Sequence, residues 1–534
     1  MIRQEVVNLI EKSIKEFQKE KVFLDFIVPK IKVEKPEEKT HGDYAANVAM
    51  VIGKTVKKNP MEIANLLITN SKWQTANLFE KVEIVEPGFI NFFISKEYLQ
   101  RQVNEILKQG EKFGQLNIGK SQKTQVEFIS ANPTGSLHIG NGRGAFFGDT
   151  LANVLKWAGY EVTREYFINN AKINTQIKLL GQTALGKGIT YLNENLKTKI
   201  EKLKSKLEKI QNEGGIGYLL AQEVQKDNRD FIANKLKIKF DNWISEEELY
   251  RENKVDKIYN WLKKENLIYQ KEGAQWIKTS QFGDSQDWVI IRSEAEGGEP
   301  TYLLSDIAYH RDKFNRGFDR IINIWGADHQ GHVRKIKAVA KILDYRGDLD
   351  ILISQIVRLK SGLKISKRKG EVITLEWLIN EVGLDAARFF YLMKSLDTQM
   401  EFDVELAKEK SQKSPVYYVQ YAHARICSIL RKAQNTNLKT INHKLLIHPS
   451  ELNLIKQLIR LPEIVEDIAK DYQIQRLPQY AMDLATVFHQ FYRDCKVLTE
   501  NSSLQDARLA LVLVTKIVLK NTLNLMGISA PEKM

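Results

Sequence analysis

Between Thr124 and Ile168 the chain reads strand, glycine-bearing loop, helix, strand, and that order commits it to a βαβ unit. Thr124 to Ser130 (TQVEFIS) is a short β-rich run, and Ala131-Asn132-Pro133-Thr134-Gly135-Ser136 is the loop after it. A helix is predicted from near Gly140 to Ala158, with Phe147, Leu151, Leu155 and Ala158 as its buried stripe and Gly159 as its stop. Glu161 to Ile168 is extended again.

The pattern recurs downstream. Ile321 to Trp325 reads as a strand, Gly326 to Gly331 as a loop, and Ile336, Val339 and Ile342 mark a helix. A third strand, Ile351 to Val357, leads into a lysine-rich loop. Between the two units, Leu196, Ile200, Leu203, Leu207 and Ile210 form a heptad-like stripe closed by Gly214-Gly215. So short a stripe barely sustains a coiled coil, and it is assigned to a helical insertion, about 180–300, rather than to a dimer zipper.

The flanks differ in kind. Ile2, Val6, Leu9, Ile10, Ile14 and Phe17 recur at helical spacing, and Val82, Ile84, Phe89, Ile90, Phe92 and Phe93 are strand-like around Pro87-Gly88. Residues 1–113 are therefore read as a small α+β domain, closed by a linker near Lys112–Lys120. From residue 411 helical periodicity takes over and strand signals vanish. The expected division is 1–113, a catalytic domain 114–375, a connecting stem 376–410, and a helix bundle 411–534, a multidomain α/β protein.

Composition narrows the class. With 534 residues, 43% hydrophobic and 27% charged, the chain is neither disordered nor collagenous. Its two cysteines, Cys427 and Cys495, form no CxxC pair, which argues against a thiolate zinc site and suits a reducing compartment. The longest apolar run, Leu509 to Val514, is far short of the roughly 20 residues of a membrane span, and the charged N-terminus has no signal-peptide core, so a cytoplasmic location is expected. A net charge of +14 fits a polyanionic partner and equally a lysine-rich composition with no partner.

Three segments carry chemistry. His138-Ile139-Gly140-Asn141 lies at a helix start, where unpaired N–H groups favour phosphate, though a histidine there also serves as a cap. Lys364-Ile365-Ser366-Lys367-Arg368-Lys369-Gly370 packs four cations into six residues, able to wrap a triphosphate or to lie solvated. Neither is a P-loop. Trp325-Gly326-Ala327-Asp328-His329-Gln330-Gly331-His332 follows a strand, where open α/β sheets bind ligands and an acidic residue can hold ribose hydroxyls. His329 and His332 lack a third ligand in view, so no metal site is expected there.

In order, HIGN and KISKR resemble the HIGH and KMSKS signatures of class I aminoacyl-tRNA synthetases. Within that class the chain resembles arginyl-tRNA synthetases of bacterial type over most of its length. The segments are ANPTGSLHIGNGRGAFFGD, REYFINNA, WGADHQGH, KISKRKG, DAARFFYLM, YYVQYAHARI and FHQFYRDC, with the terminal PEKM. The resemblance implies a Rossmann-like parallel-sheet catalytic domain with an N-terminal α+β domain and a C-terminal all-α bundle. It implies ATP with Mg²⁺, L-arginine and an arginine-specific tRNA as partners, no zinc, and a monomer away from membranes.

Residue roles follow from the resemblance. His138 and Asn141 would contact ATP phosphates beside Gly140, and Lys364 and Lys367, with Ser366 between them, would stabilise phosphate charge. Gly326 and Asp328 would hold adenosine. Glu127 and Asn132 would take the amino and carboxylate groups of arginine, with His329 or Gln330 assisting. Tyr302 and Asp306 match the side-chain pocket, with Glu246 a second match; the residues alone also read as an i,i+4 pair and as part of a solvated run, Glu246-Glu247-Glu248. Tyr418, Tyr421 and Tyr492 fall at anticodon-contacting positions, although a stripe such as Tyr417/Tyr421 reads as core by itself. Phe89 and Asn91 would meet the tRNA elbow.

The chain departs from the family pattern at Asn141, where a second histidine is usual, at Asn170, where aspartate is common, and in the acidic loop Glu294–Glu299. An amide can still donate to phosphate. Two rival readings stand beside this one: another class I synthetase, such as the cysteine or methionine enzyme, and a noncatalytic RNA-binding paralogue.

Overall fold

The computed structural model of the protein describes residues 1–69, 77–360, 373–433 and 441–534. The βαβ unit read from the sequence lies at the centre of a parallel sheet. Among the described residues its five strands run Asp348–Ser354, Arg320–Gly326, Lys123–Glu127, Glu161–Ile168 and Asn242–Ser245, each parallel to its neighbour. The three strands earliest in the chain grow one way and the last two the other, so winding reverses between Lys123–Glu127 and Arg320–Gly326. A crevice opens beyond the carboxyl ends at such a reversal.

Alternation along the strands feeds two cores. Tyr166 and Ile168 join Phe146, Phe147 and Leu151 of the helix Ile139–Trp157 on one face. Phe167 points the other way, to Leu303, Leu304 and Ile307 of the helix Tyr302–Asn315 and to Val339 of Val333–Ile342. Both faces are covered, as a parallel sheet requires. The helix Ile139–Trp157 meets its predicted bounds within a residue, and Gly159 follows it at φ 90°.

The insertion differs from its reading. It contains the helices Thr175–Ala184, Glu194–Leu207 and Glu213–Asp230, but also an antiparallel sheet of Ile268–Lys271, Ala274–Ile277 and Trp288–Ile291. Gly214-Gly215 do not close the heptad-like helix. They lie in the first turn of the next one, where Gly214 sits against the Lys172 carbonyl and Gly217 against that of Ile177. Glycine is used here for close helix approach. The stripe itself packs within the chain, Leu196, Leu203 and Leu207 against Ile177, Leu180 and Leu220. The predicted strand Ile351–Val357 also splits: Val357–Leu359 pairs instead with Met400–Phe402 in a small parallel sheet.

The terminal regions lock together. The N-terminal sheet runs Val33–Glu34, Tyr44–Ala46, Phe89–Ile94, Phe79–Val85, backed by the helix Ile2–Lys19. The C-terminal helices are Pro415–Lys432, Pro449–Leu458, Leu461–Asp471, Arg476–Asp494 and Ser502–Leu525. Arg3 meets Glu466 at 2.6 Å and Asp467 at 2.9 Å, while the Tyr44 hydroxyl lies 3.0 Å from both Glu463 oxygens. One apolar core runs from Ile2 through Phe146 to Ile528. Among the described residues no helix is long and apolar enough to cross a membrane.

Candidate active site

A cleft of about 1520 Å³ opens where the winding reverses. It is lined by the ends of the two central strands, Glu127 and Gly326, by the loop residue Asn132, and by His138, Gly140 and Asn141 at the helix start. Asp306, Asp328 and His329 border it too. Nine of the residues singled out from sequence thus share one cavity.

The helix start is capped from within. His138 accepts the Gly140 backbone N–H on Nδ1 at 3.0 Å, and Asn141 Oδ1 accepts the His138 backbone N–H at 2.9 Å. The neutral ring then carries its proton on Nε2, and the Asn141 NH₂ keeps its donors. Burial lowers the His138 pKa against the opposing pull of Asp328, which favours the neutral ring. A Cβ at Gly140 would lie 2.7 Å from the His138 ring, so this cap needs glycine. The Ile139 N–H donates to the Ile373 carbonyl at 3.0 Å, and Leu375 N–H to that of Leu137 at 2.8 Å. Lys364, Ser366 and Lys367 lie outside the described residues; Ile373 and Thr374, just beyond them in the chain, line the cleft.

The opposite wall is acidic. Glu127 ends its strand before a turn in which Ile129 and Ser130 take φ values of 68° and 38°. A β-branched residue there costs about 1–3 kcal/mol and needs support. Support comes from Ala131 N–H donating to the Tyr166 hydroxyl oxygen at 3.1 Å and Phe167 N–H to Ser130 Oγ at 3.1 Å. Ser130 Oγ in turn donates to Glu127 Oε1 at 2.9 Å. Asp306 stands on the first turns of Tyr302–Asn315, and burial with the charges of Glu246 and Glu127 pushes its carboxyl up to about 8. Glu246, 4% exposed, is not part of a solvated run. Its carboxylate accepts from Ser305 Oγ at 2.8 Å, Asn174 Nδ2 at 3.2 Å and Ala171 N–H at 3.3 Å, and burial raises its pKa. Among the described residues no cation pairs with Asp306 or Glu246.

Other expected residues lie elsewhere. Glu246, Tyr302 and Gln330 do not line the cleft; the Tyr302 ring is 5.4 Å from that of His332, at its edge. On the bundle, Tyr418 and Tyr421 are half-buried, with rings 5.1 Å and 6.1 Å from His489, and the Arg425 guanidinium lies 5.0 Å from both the Tyr421 and Tyr492 rings. This is a surface cluster, not the core stripe that spacing alone suggests. Phe89 is exposed, whereas Asn91, on the same sheet face, is 3% exposed, which leaves its side chain little surface for the expected RNA contact.

Sequence reading missed the polar layer beneath the acidic wall. Lys313, 0% exposed, contacts Glu127 and donates to Asn323 Oδ1 at 2.8 Å. The Tyr309 hydroxyl lies 2.7 Å from Glu165 and 3.0 Å from Glu127. The available signal was Asp306, His310 and Lys313 at i, i+4 and i+7, one helical stripe shared with the apolar Leu303.

Comparison with known proteins agrees with this geometry. The family description "Arginyl tRNA synthetase N terminal domain" matches residues 4–94, "tRNA synthetases class I (R), catalytic domain" matches 102–180 and 191–428, and "DALR anticodon binding domain" matches 419–534. The chain belongs to the arginyl-tRNA synthetase family. Within it, the arginine–tRNA ligase of Carboxydothermus hydrogenoformans is 41% identical over 528 residues, covering 94% of each chain. That of Bacillus subtilis is 40% identical, covering 95% of each. The Thermus thermophilus arginyl-tRNA synthetase superposes with a TM-score of 0.81 at 21% identity over the whole of both chains, which shows the shared class I fold.

Proposed function

We propose that this chain is an arginine–tRNA ligase. It joins L-arginine to ATP as arginyl-adenylate, releasing pyrophosphate, and then passes arginine to the 3′-terminal adenosine of its tRNA. The observation that carries this reading is the acidic wall. Asp306 faces the cleft and Glu246 lies buried behind it, bonded to Ser305; neither has an ion-paired cation among the described residues, and a guanidinium supplies one.

The ATP phosphates lie against the helix start at Ile139, where His138 Nε2–H and the Asn141 amide donate to them beside Gly140. Adenosine lies along Gly326 and Asp328, with the Asp328 carboxylate on ribose hydroxyls. Glu127 takes the α-ammonium of arginine and Asn132 its carboxylate; Tyr302 closes the side-chain end over Asp306, and His329 or Gln330 assists. By the signature resemblance, Lys364 and Lys367 stabilise the phosphates as the arginine carboxylate displaces pyrophosphate. Mg²⁺ enters with ATP as its salt. Catalysis is positioning and charge stabilisation, with no covalent enzyme intermediate. Carboxylates left uncompensated by a neutral amino acid reject it without editing.

Tyr418, Tyr421 and Tyr492 offer ring faces to unstacked anticodon bases, and Phe89 an apolar contact at the elbow. Residues 1–113, 114–375, 376–410 and 411–534 serve as elbow contact, catalytic unit, stem and anticodon bundle in a cytoplasmic monomer. Arginine-dependent ATP–pyrophosphate exchange, with and without cognate tRNA, tests the reading. Exchange only with tRNA is the expected result. Exchange without tRNA removes the tRNA dependence, and no exchange with arginine in either condition overturns the ligase.

A further inference from the structure

Beneath the cleft, one hydrogen-bonded chain joins the two ends of the amino-acid site. His310 Nδ1 lies 2.8 Å from the Asp306 carbonyl, His310 Nε2 lies 3.3 Å from Asn323 Nδ2, and Asn323 Oδ1 accepts from Lys313 Nζ at 2.8 Å. Lys313 also contacts Glu127, whose carboxylate accepts from Ser130 and lies within reach of the Tyr309 hydroxyl. Every direction is forced. The Asp306 carbonyl can only accept, so His310 donates from Nδ1 and accepts on Nε2. That turns the Asn323 NH₂ toward His310 and its oxygen toward the lysine, which can only donate. Burial lowers the His310 pKa to about 3, in keeping with a neutral ring bearing one proton.

These residues are nearly shut off from water, His310 and Asn323 included. A side-chain chain of this kind, with the roles of each member determined, rigidifies what it joins. It joins the strand end at Glu127 to the helix turn at Asp306. These are the groups that, on the function proposed above, hold the α-ammonium and the guanidinium of one substrate.

We infer that Lys313, Asn323 and His310 are positioning residues that fix the separation between Glu127 and Asp306, so that the site measures the length of its amino acid. Of the three only His310 borders the cleft; Lys313 and Asn323 act through Glu127, and His310 through the Asp306 turn. An arginine with one extra methylene carries the same charges and hydrogen-bond donors and differs only in reach. A site whose ends are held rigidly rejects it, and a site with loosened ends accommodates it.

The test is Asn323→Asp, which keeps the shape but sets an acceptor against His310 Nε2 and draws Lys313 away from Glu127. Lys313→Met is the second variant. Pyrophosphate exchange is measured in the presence of tRNA with L-arginine and with L-homoarginine. The expected result for Asn323→Asp is a KM for arginine raised roughly tenfold to hundredfold, as for a lost hydrogen bond to a charged group. The KM for ATP stays within about twofold, and preference for arginine over homoarginine falls roughly tenfold. Equal rises in both KM values, or an unchanged preference, overturn the inference. Should Lys313→Met fail to fold, the near-isosteric Asn323→Asp decides alone. Wild-type protein inactive with arginine would instead overturn the ligase reading, because the strut is judged only on an active parent.

Discussion

His138 accepts the Gly140 backbone N–H through Nδ1 at 3.0 Å, and this one bond orients a ring proton toward the cleft. Replacing Gly140 with alanine puts a methyl 2.7 Å from that ring, which must then swing away. Gly140→Ala is expected to depress pyrophosphate exchange by roughly 10²–10³, the usual scale for one misplaced donor on a transferring group. Its melting temperature should stay close to that of the parent, because the helix is otherwise intact. Single-turnover adenylate formation and thermal denaturation check the two halves of the prediction.

Asp306 titrates near 8, well above its value in an unfolded chain. A carboxyl raised on folding holds a proton that the unfolded chain has already lost. Its penalty on stability is therefore absent below the unfolded pKa, near 3.9, grows as pH rises, and is complete above about 8. A guanidinium needs the ionised form. Arginine binding at neutral pH is thus expected to release a proton, and its affinity to rise with pH until about 8 and then level off. Calorimetric titration in buffers of different ionisation enthalpy measures that proton directly.

Asp306→Asn separates charge from shape at the same place. It removes the penalty on the folded state, so the variant should be at least as stable as the parent above pH 8. Arginine KM should rise by roughly 100-fold, the cost of losing a charge-assisted pair with a guanidinium. A variant that binds arginine normally would show that the guanidinium lies elsewhere.

Arg388 and Asp149 meet at 2.8 Å, both nearly fully buried, and Arg388 also donates to the Met526 carbonyl at 3.1 Å and that of Leu236 at 2.8 Å. Arg388→Leu leaves Asp149 buried with only its longer contact to Arg164, at 3.5 Å. Loss of about 3–5 kcal/mol in urea unfolding is expected, since stranding one member of a buried pair costs that much.

On the bundle, Tyr421→Ala removes a ring that also holds Arg425 through its hydroxyl at 2.8 Å. The KM for tRNA should rise by the equivalent of about 1–3 kcal/mol, as for one lost stacking partner. The KM for ATP should not move. Aminoacylation at several tRNA concentrations distinguishes this from a general loss of activity.

What could be read from the residues followed from how local the cause was. The helix after His138 and the strand Glu161–Ile168 are written in short-range pattern, a glycine stop and an unbroken β-rich run, and both lie where expected. Gly214 and Gly215 read as a stop from the sequence, but they open a helix, and Gly214 is there for the Lys172 carbonyl it packs on, a distant contact that no local pattern records. The site followed the same division. His138, Asp328 and Glu127 sit at strand and helix ends, where sheet topology assembles ligand groups. Lys313 was missed because a buried lysine is legible only once the carboxylate it meets, 186 residues away, is in view. Asn91 is buried for a similar reason: it alternates with the core residues Ile90 and Phe92 and so shares the sheet face of exposed Phe89, and what covers it there comes from outside its own strand.

The unbroken apolar core from Ile2 to Ile528 bears on how such a protein can be recombined. A bundle hung on a flexible tether could be exchanged between relatives by cutting the tether. Here the bundle shares its interior with both the N-terminal sheet and the signature helix, so any transplant must re-match two buried seams at once. Calorimetry should accordingly record one cooperative transition rather than a melting step for each region. A chimera joined only through its linkers would be destabilised at Arg3, Tyr44 and Arg388 before it was tested for activity.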